Sequence, residues 1–334
     1  MKIMITGGAG YVGSALVPRL LASGHQVIVY DNGWFGMFHD YKDETGRLMR
    51  VMADIRDLPL FSRWVAGCDT VIHLACISND TSCALDEKLS TSINYDAFRP
   101  LVVASKLMGV KRFIYCSSSS VYGVSDAPEI TEKHILVPLT LYNKYKGMCE
   151  PLLFAECNDT FCGTIIRPAT VCGFAPRMRF DLTVNILTNH AIQKKEITVF
   201  GGNQKRPNLH ISDMCRVYET LLDAPAEKIA GQIFNVGTQN MTLDEIAGLV
   251  QLIVKEEMGI DAPIAHKTHT DDRSYHVNSD KIKNVLGFVP QFTIADAIRD
   301  LCAHFKAGEF QDSLTNPVYL NVQQLINRGF QAQN

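Results

Sequence analysis

The chain opens with Met1-Lys2-Ile3-Met4-Ile5-Thr6-Gly7-Gly8-Ala9-Gly10-Tyr11-Val12-Gly13, and this stretch decides the predicted fold. Its first six residues form a short apolar run that predicts a strand, and the segment beginning at Tyr11 predicts a helix. The glycines between them fit G-x-G-x-x-G, and Gly7, Gly10 and Gly13 also fit the related G-x-x-G-x-x-G spacing. Such glycines allow a tight turn and let a pyrophosphate approach the backbone at the helix N-terminus. The stretch therefore predicts a dinucleotide site, with a ligand-free tight turn as the alternative.

The first half of the chain repeats this strand-and-helix alternation. The predicted strands are Lys2–Thr6, Gln26–Tyr30, Thr70–Ala75, Arg112–Ser117 and Thr164–Arg167. The predicted helices are Tyr11–Ser23, Leu58–Val65, Asp86–Met108 and Tyr142–Glu156. Apolar strands separated by helices imply a parallel sheet that is covered on both faces.

The alternation loosens after Arg167. Helices are predicted near Thr183–Lys194, Asp213–Leu222, Leu243–Glu257, Asp280–Leu286 and Ile294–Phe305, with a strand at Gln232–Val236 and a polar loop at His266–Tyr275. The predicted fold class is α/β: a Rossmann-type doubly wound parallel sheet with a smaller mixed α/β C-terminal substrate domain. We expect residues 1–170 to form the dinucleotide domain, with residues 209–238 returning to it. Residues 171–208 and 239–334 then form the substrate domain.

Composition limits the classes of function. The 334 residues are 46% hydrophobic and 20% charged, which predicts a sizeable core. A net charge of −3 gives no electrostatic reason to expect nucleic acid or an anionic membrane as a partner. The ten cysteines contain no C-x-x-C pair, and no signal peptide or membrane span is evident. We therefore expect free thiols, a cytoplasmic location and no metal site.

Acidic residues follow two of the predicted strands. Asp31 ends the second strand, where a carboxylate can bond the adenosine ribose and would repel a 2′-phosphate, which favours NAD over NADP. The alternative is that Asp31 only starts the turn Asp31-Asn32-Gly33. Asp54-Ile55 follows a further strand predicted between Gln26–Tyr30 and Thr70–Ala75, in a position suited to contacts with the adenine.

A second motif suggests proton transfer. Tyr142 and Lys146 are four residues apart, so they share one face of a predicted helix. A phenol has a pKa near ~10, and a neighbouring ammonium group lowers it. The strand before this helix ends in a row of hydroxyl groups, from Ser117 to Ser120, at the edge where doubly wound sheets hold ligands. The alternative for such a serine run is a polar loop.

Together these residues resemble the extended short-chain dehydrogenase/reductase family, within it the NAD-dependent nucleotide-sugar epimerases and dehydratases of the UDP-glucose 4-epimerase type. The resemblance covers most of the chain. It is carried by Gly7/Gly10/Gly13, Asp31, Asp54-Ile55, His73-Leu74-Ala75, Asn94, Ser118 to Gly123, Tyr142/Lys146, Arg167-Pro168 and Arg206 to Asp213.

The resemblance implies roles for individual residues. Tyr142 would remove the proton of the sugar C4 hydroxyl, Ser118 would bond the same oxygen, and Lys146 would hold the nicotinamide ribose and tune Tyr142. The implied NAD contacts are Gly7, Gly10, Tyr11, Val12, Gly13, Asp31, Asn32, Asp54, Ile55, Leu74, Ala75, Tyr142 and Lys146. The implied contacts with a nucleotide-sugar substrate are Ser78, Asn79, Ser118, Ser119, Asn185, Arg206 and Arg273. The alternative for the two arginines is solvated loop residues.

The resemblance also narrows the reaction. Family dehydratases carry acidic residues directly after the catalytic Ser or Thr, and the decarboxylases use an acidic residue nearby, whereas this chain has Ser119 and Ser120. We therefore expect a 4-epimerase that acts through a transient 4-keto-sugar. The alternatives are a 4-dehydrogenase that releases the keto-sugar and a non-catalytic NAD-binding sensor. A homodimer is expected from the resemblance, through the helices predicted at Asp86–Met108 and Tyr142–Glu156.

Overall fold

A computed structural model describes residues 1–37, 41–125, 127–268 and 276–330. Its strands are β1 Lys2–Thr6, β2 Gln26–Asp31, β3 Leu48–Met52, β4 Thr70–His73, β5 Arg112–Cys116, β6 Cys162–Pro168, β7 Thr170–Cys172, β8 Ile197–Phe200, β9 Lys205–His210, β10 Gln232–Val236, β11 Gln239–Thr242 and β12 Ile264–Lys267. Its helices are α1 Tyr11–Ala22, α2 Leu58–Val65, α3 Asp80–Leu85, α4 Glu87–Thr91, α5 Phe98–Leu107, α6 Leu141–Phe154, α7 Thr183–Gln193, α8 Ile211–Asp223, α9 Ala226–Ile229, α10 Leu243–Met258, α11 Asp280–Leu286, α12 Ile294–Lys306 and α13 Asn321–Asn327.

Seven strands form the central sheet, in the order β10-β6-β5-β4-β1-β2-β3. Every neighbouring pair is parallel, from β2 with β3 at one edge to β10 with β6 at the other. The predicted Rossmann-type fold is therefore confirmed. Strands β2 and β3 lie on one side of β1, and the later strands of the sheet lie on the other side. Such a switch point creates the crevice that binds ligands. The strand at 232–236 joins this sheet as expected, while the division of the chain into two domains stays a prediction.

Apolar side chains cover both faces of the sheet. On one face, Leu16 and Leu20 of α1 pack with Val217 and Leu221 of α8, and all four are fully buried. On the other face, Phe61 of α2 and Phe98 of α5 are fully buried against the strands. Parallel strands covered on both faces explain why β1, β4 and β6 are buried along almost their whole length rather than at alternate positions.

One predicted helix is wrong in detail. The segment predicted as a single helix over Asp86–Met108 contains α4, a π-helical turn at Ser92–Asp96 and then α5. The amide group of Asn94, in that turn, exchanges two hydrogen bonds with the backbone of Ile77, at 2.8 and 2.9 Å. These bonds hold the turn against the segment that follows β4. Tertiary contact has therefore overridden the helical pattern locally.

The second half of the chain contains structure that the sequence pattern did not reveal. A three-stranded sheet has the order β11-β9-β7, and β12 pairs with β8. The C-terminal helix α13 follows a short 3₁₀ turn at Pro317–Tyr319. The start of the predicted polar loop, at His266 and Lys267, belongs to β12. No helix in the described ranges is long and apolar enough to cross a membrane.

A glycine at the start of α1 offers a first test. A Cβ atom on Gly13 would lie 2.3 Å from the carbonyl oxygen of Gly8, whereas a Cβ on Gly248 of α10 would meet nothing within 4 Å. Gly13→Ala is therefore expected to lower the free energy of unfolding by about 1–3 kcal/mol, because the turn must shift. Gly248→Ala, the matched control, is expected to raise it by up to about 1 kcal/mol through helix propensity. Urea unfolding followed by circular dichroism measures both, and equal stability of the two variants would contradict the packing argument.

Candidate active site

A cavity of about 410 Å³ lies at the carboxyl ends of the central strands. Its wall contains the glycine turn before α1, the ends of β2 and β4, the serine segment after β5 and the start of α6. Two predicted groups of residues thus meet in one cavity, although they are more than a hundred positions apart in the chain. The wall includes Gly7, Gly10, Tyr11, Val12, Gly13, Asp31, Asn32, Asp54, Ile55, Leu74, Ala75, Ser78, Asn79, Ser118, Ser119, Tyr142, Lys146 and Arg206.

The glycine turn forms the floor at one end of the cavity. Gly7 adopts a positive φ of 72°, and a Cβ there would lie 2.6 Å from the backbone nitrogen of Ala75. Only glycine fits this close approach of two backbone segments. Helix α1 begins directly after Gly10, and no side chain caps its first turn. Its first N–H groups can therefore receive an anion.

Asp31 lies beside this turn at the end of β2. Its carboxylate accepts hydrogen bonds from the backbone nitrogens of Ala9, at 3.1 Å, and Gly33, at 2.9 Å. Burial raises the pKa of Asp31, and these two bonds oppose the shift. Asp31 therefore orders the following turn and also lines the cavity, while its contact with a ribose stays a prediction.

Tyr142 and Lys146 lie in α6 at the other end of the cavity. The Nζ atom of Lys146 is 5.9 Å from the centre of the Tyr142 ring and donates a hydrogen bond of 2.6 Å to the carbonyl oxygen of Cys116. This bond fixes the ammonium group at the end of β5. Lys146 is thus held between the serine segment and the helix that carries Tyr142.

The protein groups around Tyr142 do not produce the expected lowering of its pKa. Burial raises the pKa of Tyr142 well above its ordinary value, and neighbouring thiols add to this effect while Arg179 opposes it. The desolvation of the phenolate outweighs the attraction of nearby cations here. Positive charge placed near the phenol would act against this shift.

The serine segment holds a short hydrogen-bond relay. Ser120 donates its hydroxyl proton to Oδ1 of Asn143, at 2.5 Å, and its Oγ atom lies 2.7 Å from Oγ of Ser118. Because the only hydroxyl proton of Ser120 is used in the bond to Asn143, Ser118 must be the donor in the bond between the two hydroxyls. Oγ of Ser118 also accepts a bond from the backbone nitrogen of Ser120. One lone pair of Ser118 remains to face the cavity.

A buried ion pair supports this segment from behind. Glu150 and Arg167 are each 3% exposed and form a bidentate pair, with distances of 2.9 and 2.5 Å. The Ser117 hydroxyl donates to Glu150, and Nη1 of Arg167 donates to the hydroxyl of Tyr122. The two residues on either side of the relay are therefore anchored to α6 and β6.

The predicted substrate residues divide into three groups. Ser78, Asn79, Ser119 and Arg206 line the cavity. The placement of Asn185 does not suit a substrate contact, because this fully buried residue lies outside the cavity wall. Its amide group bonds the backbone nitrogen of Gly173, the hydroxyl of Tyr11 and the carbonyl oxygen of Arg179. Arg273 lies outside the described residues.

The sequence interpretation missed several residues of the wall. Arg177, Arg179 and Asp181 come from the segment between β7 and α7, and Asn321 comes from α13. Arg179 forms a bidentate ion pair with Asp181 and donates to the hydroxyl of Ser78. The only signal in the sequence was the spacing of Arg177, Arg179 and Asp181, which places three charged groups on alternate positions of an otherwise apolar stretch.

A model of the NAD dependent epimerase/dehydratase family matches residues 3–237. A dTDP-glucose 4,6-dehydratase from Actinoplanes sp. is 27% identical over 92% of this chain and 98% of that enzyme. A UDP-N-acetyl-alpha-D-glucosaminuronate decarboxylase from Bacillus cytotoxicus is 27% identical over 84% of each chain. The crystal structure of UDP-glucuronic acid 4-epimerase from Bacillus cereus, in complex with UDP-glucuronic acid and NAD, is 25% identical, with a TM-score of 0.81 over 92% of this chain and 99% of that one. The three relatives are named for three different reactions.

Proposed function

The chain belongs to the NAD-dependent epimerase/dehydratase family, with NAD as its cofactor, and from this premise we propose that it is a nucleotide-sugar 4-epimerase. The observation that carries the proposal is the meeting of Tyr142, Lys146 and Ser118 in one cavity with the glycine turn. A sensor that only binds NAD would have no use for a proton-transfer group at this place.

The residues at the glycine end of the cavity fit NAD. The uncapped start of α1 suits the diphosphate, and Asp31 suits the adenosine ribose. Asn32, Asp54 and Ile55 line the same end and suit the adenosine. When bound, NAD supplies an acceptor for a hydride and a positively charged nicotinamide ring. That charge is of the sign required to stabilise the phenolate of Tyr142.

Tyr142 and Ser118 then share the work at the sugar. The Tyr142 phenolate takes the proton of the C4 hydroxyl as that carbon becomes a ketone, and the resulting phenol returns the proton when the ketone is reduced. Ser118, which the contact with Ser120 orders beside this oxygen, turns its hydroxyl proton toward the C4 oxygen and bonds it. Lys146 stays protonated, holds the nicotinamide ribose and adds positive charge beside Tyr142.

The carboxylates of the wall argue against dehydration and decarboxylation. Those reactions need an acid or base besides the tyrosine, and the two positions after Ser118 hold Ser119 and Ser120. Among the described residues, four carboxylates line the cavity, and each already has a bonded partner. Asp181 pairs with Arg179, Asp80 accepts from Thr140, Asp54 pairs with Arg56, and Asp31 accepts two backbone bonds.

Proton NMR of the products is the direct test. The protein and NAD are incubated separately with UDP-, GDP-, CDP- and dTDP-hexoses. A new C4 stereoisomer formed without net NADH supports the epimerase and names its substrate. A keto-sugar formed with an equal amount of NADH would instead establish a 4-dehydrogenase, which needs the same residues. Binding of NAD without turnover of any sugar would contradict both.

The serine relay gives a prediction about rate. Ser120→Ala removes the neighbouring hydroxyl that orders Ser118, so the Ser118 hydroxyl is held less firmly beside the substrate oxygen. We expect kcat to fall roughly fivefold, corresponding to about 1 kcal/mol for one hydrogen bond, with KM nearly unchanged. Ser120→Thr keeps the hydroxyl and should retain most of the rate. Steady-state kinetics on the sugar found above measure both, and full activity of Ser120→Ala would show that the relay does not orient Ser118.

We also propose a homodimer formed through α5 and α6. Leu107 and Met108 at the end of α5 are 73% and 40% exposed, and Met148 on α6 is 36% exposed. Apolar groups that face solvent on two neighbouring helices favour association through them. Light scattering after size-exclusion chromatography tests the mass, and a monomer would contradict the dimer.

We also propose a cytoplasmic location. The ten free thiols suit a reducing compartment of this kind.

A further inference from the structure

Arg177 is a buried cation without an ionic partner. It is 8% exposed, and no carboxylate lies within ion-pair distance of it in the described part of the chain. Its Nε atom is buried and has no hydrogen-bond partner there. The other buried arginines behave differently, because Arg167 and Arg179 each form a bidentate pair with a carboxylate. Arg177 therefore makes no direct ion pair, although Asp181 and Asp31 lie near enough to attract its charge.

Such a group is costly unless an anion binds it. A buried charge without a partner loses its hydration and gains nothing in return. Burial lowers the pKa of Arg177 to about 9, so the guanidinium group remains charged at neutral pH. The cavity wall includes Arg177. An anionic ligand in this cavity would supply the missing partner.

The surroundings of Arg177 indicate which end of the cavity it serves. Its backbone nitrogen donates a bond of 3.0 Å to the hydroxyl of Ser14, in the first turn of α1. Its guanidinium carbon lies 4.4 Å from the centre of the Phe35 ring, in the loop after β2. Both neighbours belong to the glycine end, opposite Tyr142. The uncapped start of α1 and the guanidinium group of Arg177 therefore act on the same region.

The C-terminal segment holds Arg177 in place. Nη2 of Arg177 donates to Oδ1 of Asn321, at the start of α13, at 2.5 Å. Arg328 donates to the carbonyl oxygens of Trp34 and Gly33, and the Phe330 ring lies 5.0 Å from the ring of Trp34. The C-terminal segment therefore contacts the loop that carries Phe35, and it also supplies Asn321, which orients the guanidinium group of Arg177.

We propose that Arg177, oriented by Asn321, binds the diphosphate group of the dinucleotide together with the N-terminus of α1. Arginine suits this task because its planar fork can donate two parallel bonds to phosphate oxygens. The free Nε atom is one of the donors of that fork. The assignment goes beyond the proposed function, since it depends on NAD alone and holds whichever sugar reaction the enzyme performs.

Calorimetry on the nucleotide-free full-length protein tests this assignment. The ligands are NAD, ADP-ribose, which has the same diphosphate without nicotinamide, and UDP-glucose. Arg177→Met is expected to raise the Kd of NAD and of ADP-ribose about 10- to 100-fold, the usual effect of one charged bond to phosphate. The Kd of UDP-glucose should change less than threefold. Arg19→Met, which breaks the ion pair of Arg19 with Glu219 outside the cavity, is the matched control and should leave all three values unchanged.

A second neutral variant guards against misfolding. Arg177→Gln keeps a polar head in place of the charged one, and it should weaken the binding of NAD and ADP-ribose as Arg177→Met does. Unchanged NAD affinity in a folded neutral variant would overturn the assignment. Loss of UDP-glucose affinity with NAD affinity intact would also overturn it, because the charge would then serve the sugar nucleotide. Weakening of NAD but not of ADP-ribose would place the contact at the nicotinamide and would likewise contradict the diphosphate.

Discussion

Tyr142→Phe is expected to lower kcat by about 10²- to 10⁴-fold, the contribution typical of a positioned general acid–base group. The phenyl ring keeps the packing of the side chain and removes only the hydroxyl that takes the C4 proton. Binding of NAD and of the nucleotide sugar should therefore stay within a few-fold of the native values. Stopped-flow absorbance at the NADH band, with the sugar identified by NMR, measures the chemical step directly.

Another tyrosine of the same helix supplies the control. The Tyr145 hydroxyl bonds Thr91 at 2.7 Å, and Tyr145 is absent from the cavity wall. Tyr145→Phe should keep the native kcat, with a small loss of stability. If Tyr142→Phe turned over as fast as Tyr145→Phe, another group would have to be the base.

The pH dependence has a definite sign. A base must be deprotonated to act, and burial raises the pKa of Tyr142, so the active fraction grows as pH rises toward that pKa. The rate of sugar oxidation should therefore increase through the neutral and mildly alkaline range. This rising limb should be missing from the residual activity of Tyr142→Phe.

The parts of the fold that the sequence predicted well are those set by local chemistry. The glycine turn, β1 and α1 are contiguous, and their residues dictate a strand, a tight approach and a helix start within thirteen positions. Tyr142 and Lys146 lie on one helix, where a spacing of four is enough to place them together. Both motifs reach the same cavity because parallel strands end at one edge of the sheet.

The parts that were missed depend on distant partners. Arg177 and Asn321 are 144 positions apart, and no local pattern relates them. Asn185 resembled a substrate contact, but its amide group is used entirely within the protein. The π-helical turn before α5 exists because Asn94 bonds the segment after β4. In each case a tertiary hydrogen bond decides the role, and sequence spacing carries no information about it.

The same distinction applies to the choice of reaction. The sequence shows that the two positions after Ser118 are the non-acidic Ser119 and Ser120. It does not show which hydrogen bonds the carboxylates of the cavity wall make. Asp80 lies on the cavity wall, where its carboxylate accepts a bond of 2.5 Å from Thr140. The choice of epimerisation therefore depends on the bonded state of each carboxylate on the wall as well as on the motif.

Removal of Glu150 should have the largest effect on stability. Its carboxylate is paired with Arg167, accepts from Ser117 and is 3% exposed. Glu150→Ala leaves the guanidinium group of Arg167 buried without its counter-ion, so we expect the free energy of unfolding to fall by about 3–5 kcal/mol. Urea unfolding followed by circular dichroism measures the loss.

The double variant Glu150→Met/Arg167→Met distinguishes two contributions to the free energy of unfolding. One is the destabilisation by an unpaired buried charge, and the other is the stabilisation by the ion pair itself. Replacing both ions with apolar groups removes the uncompensated charge, so the double variant should be more stable than Glu150→Ala. It still lacks the acceptor of the Ser117 hydroxyl and the donor to Tyr122, which flank the Ser118–Ser120 relay. We therefore expect it to recover stability while kcat remains reduced. If the double variant were no more stable than Glu150→Ala, the loss would come from packing around α6 rather than from an unpaired charge.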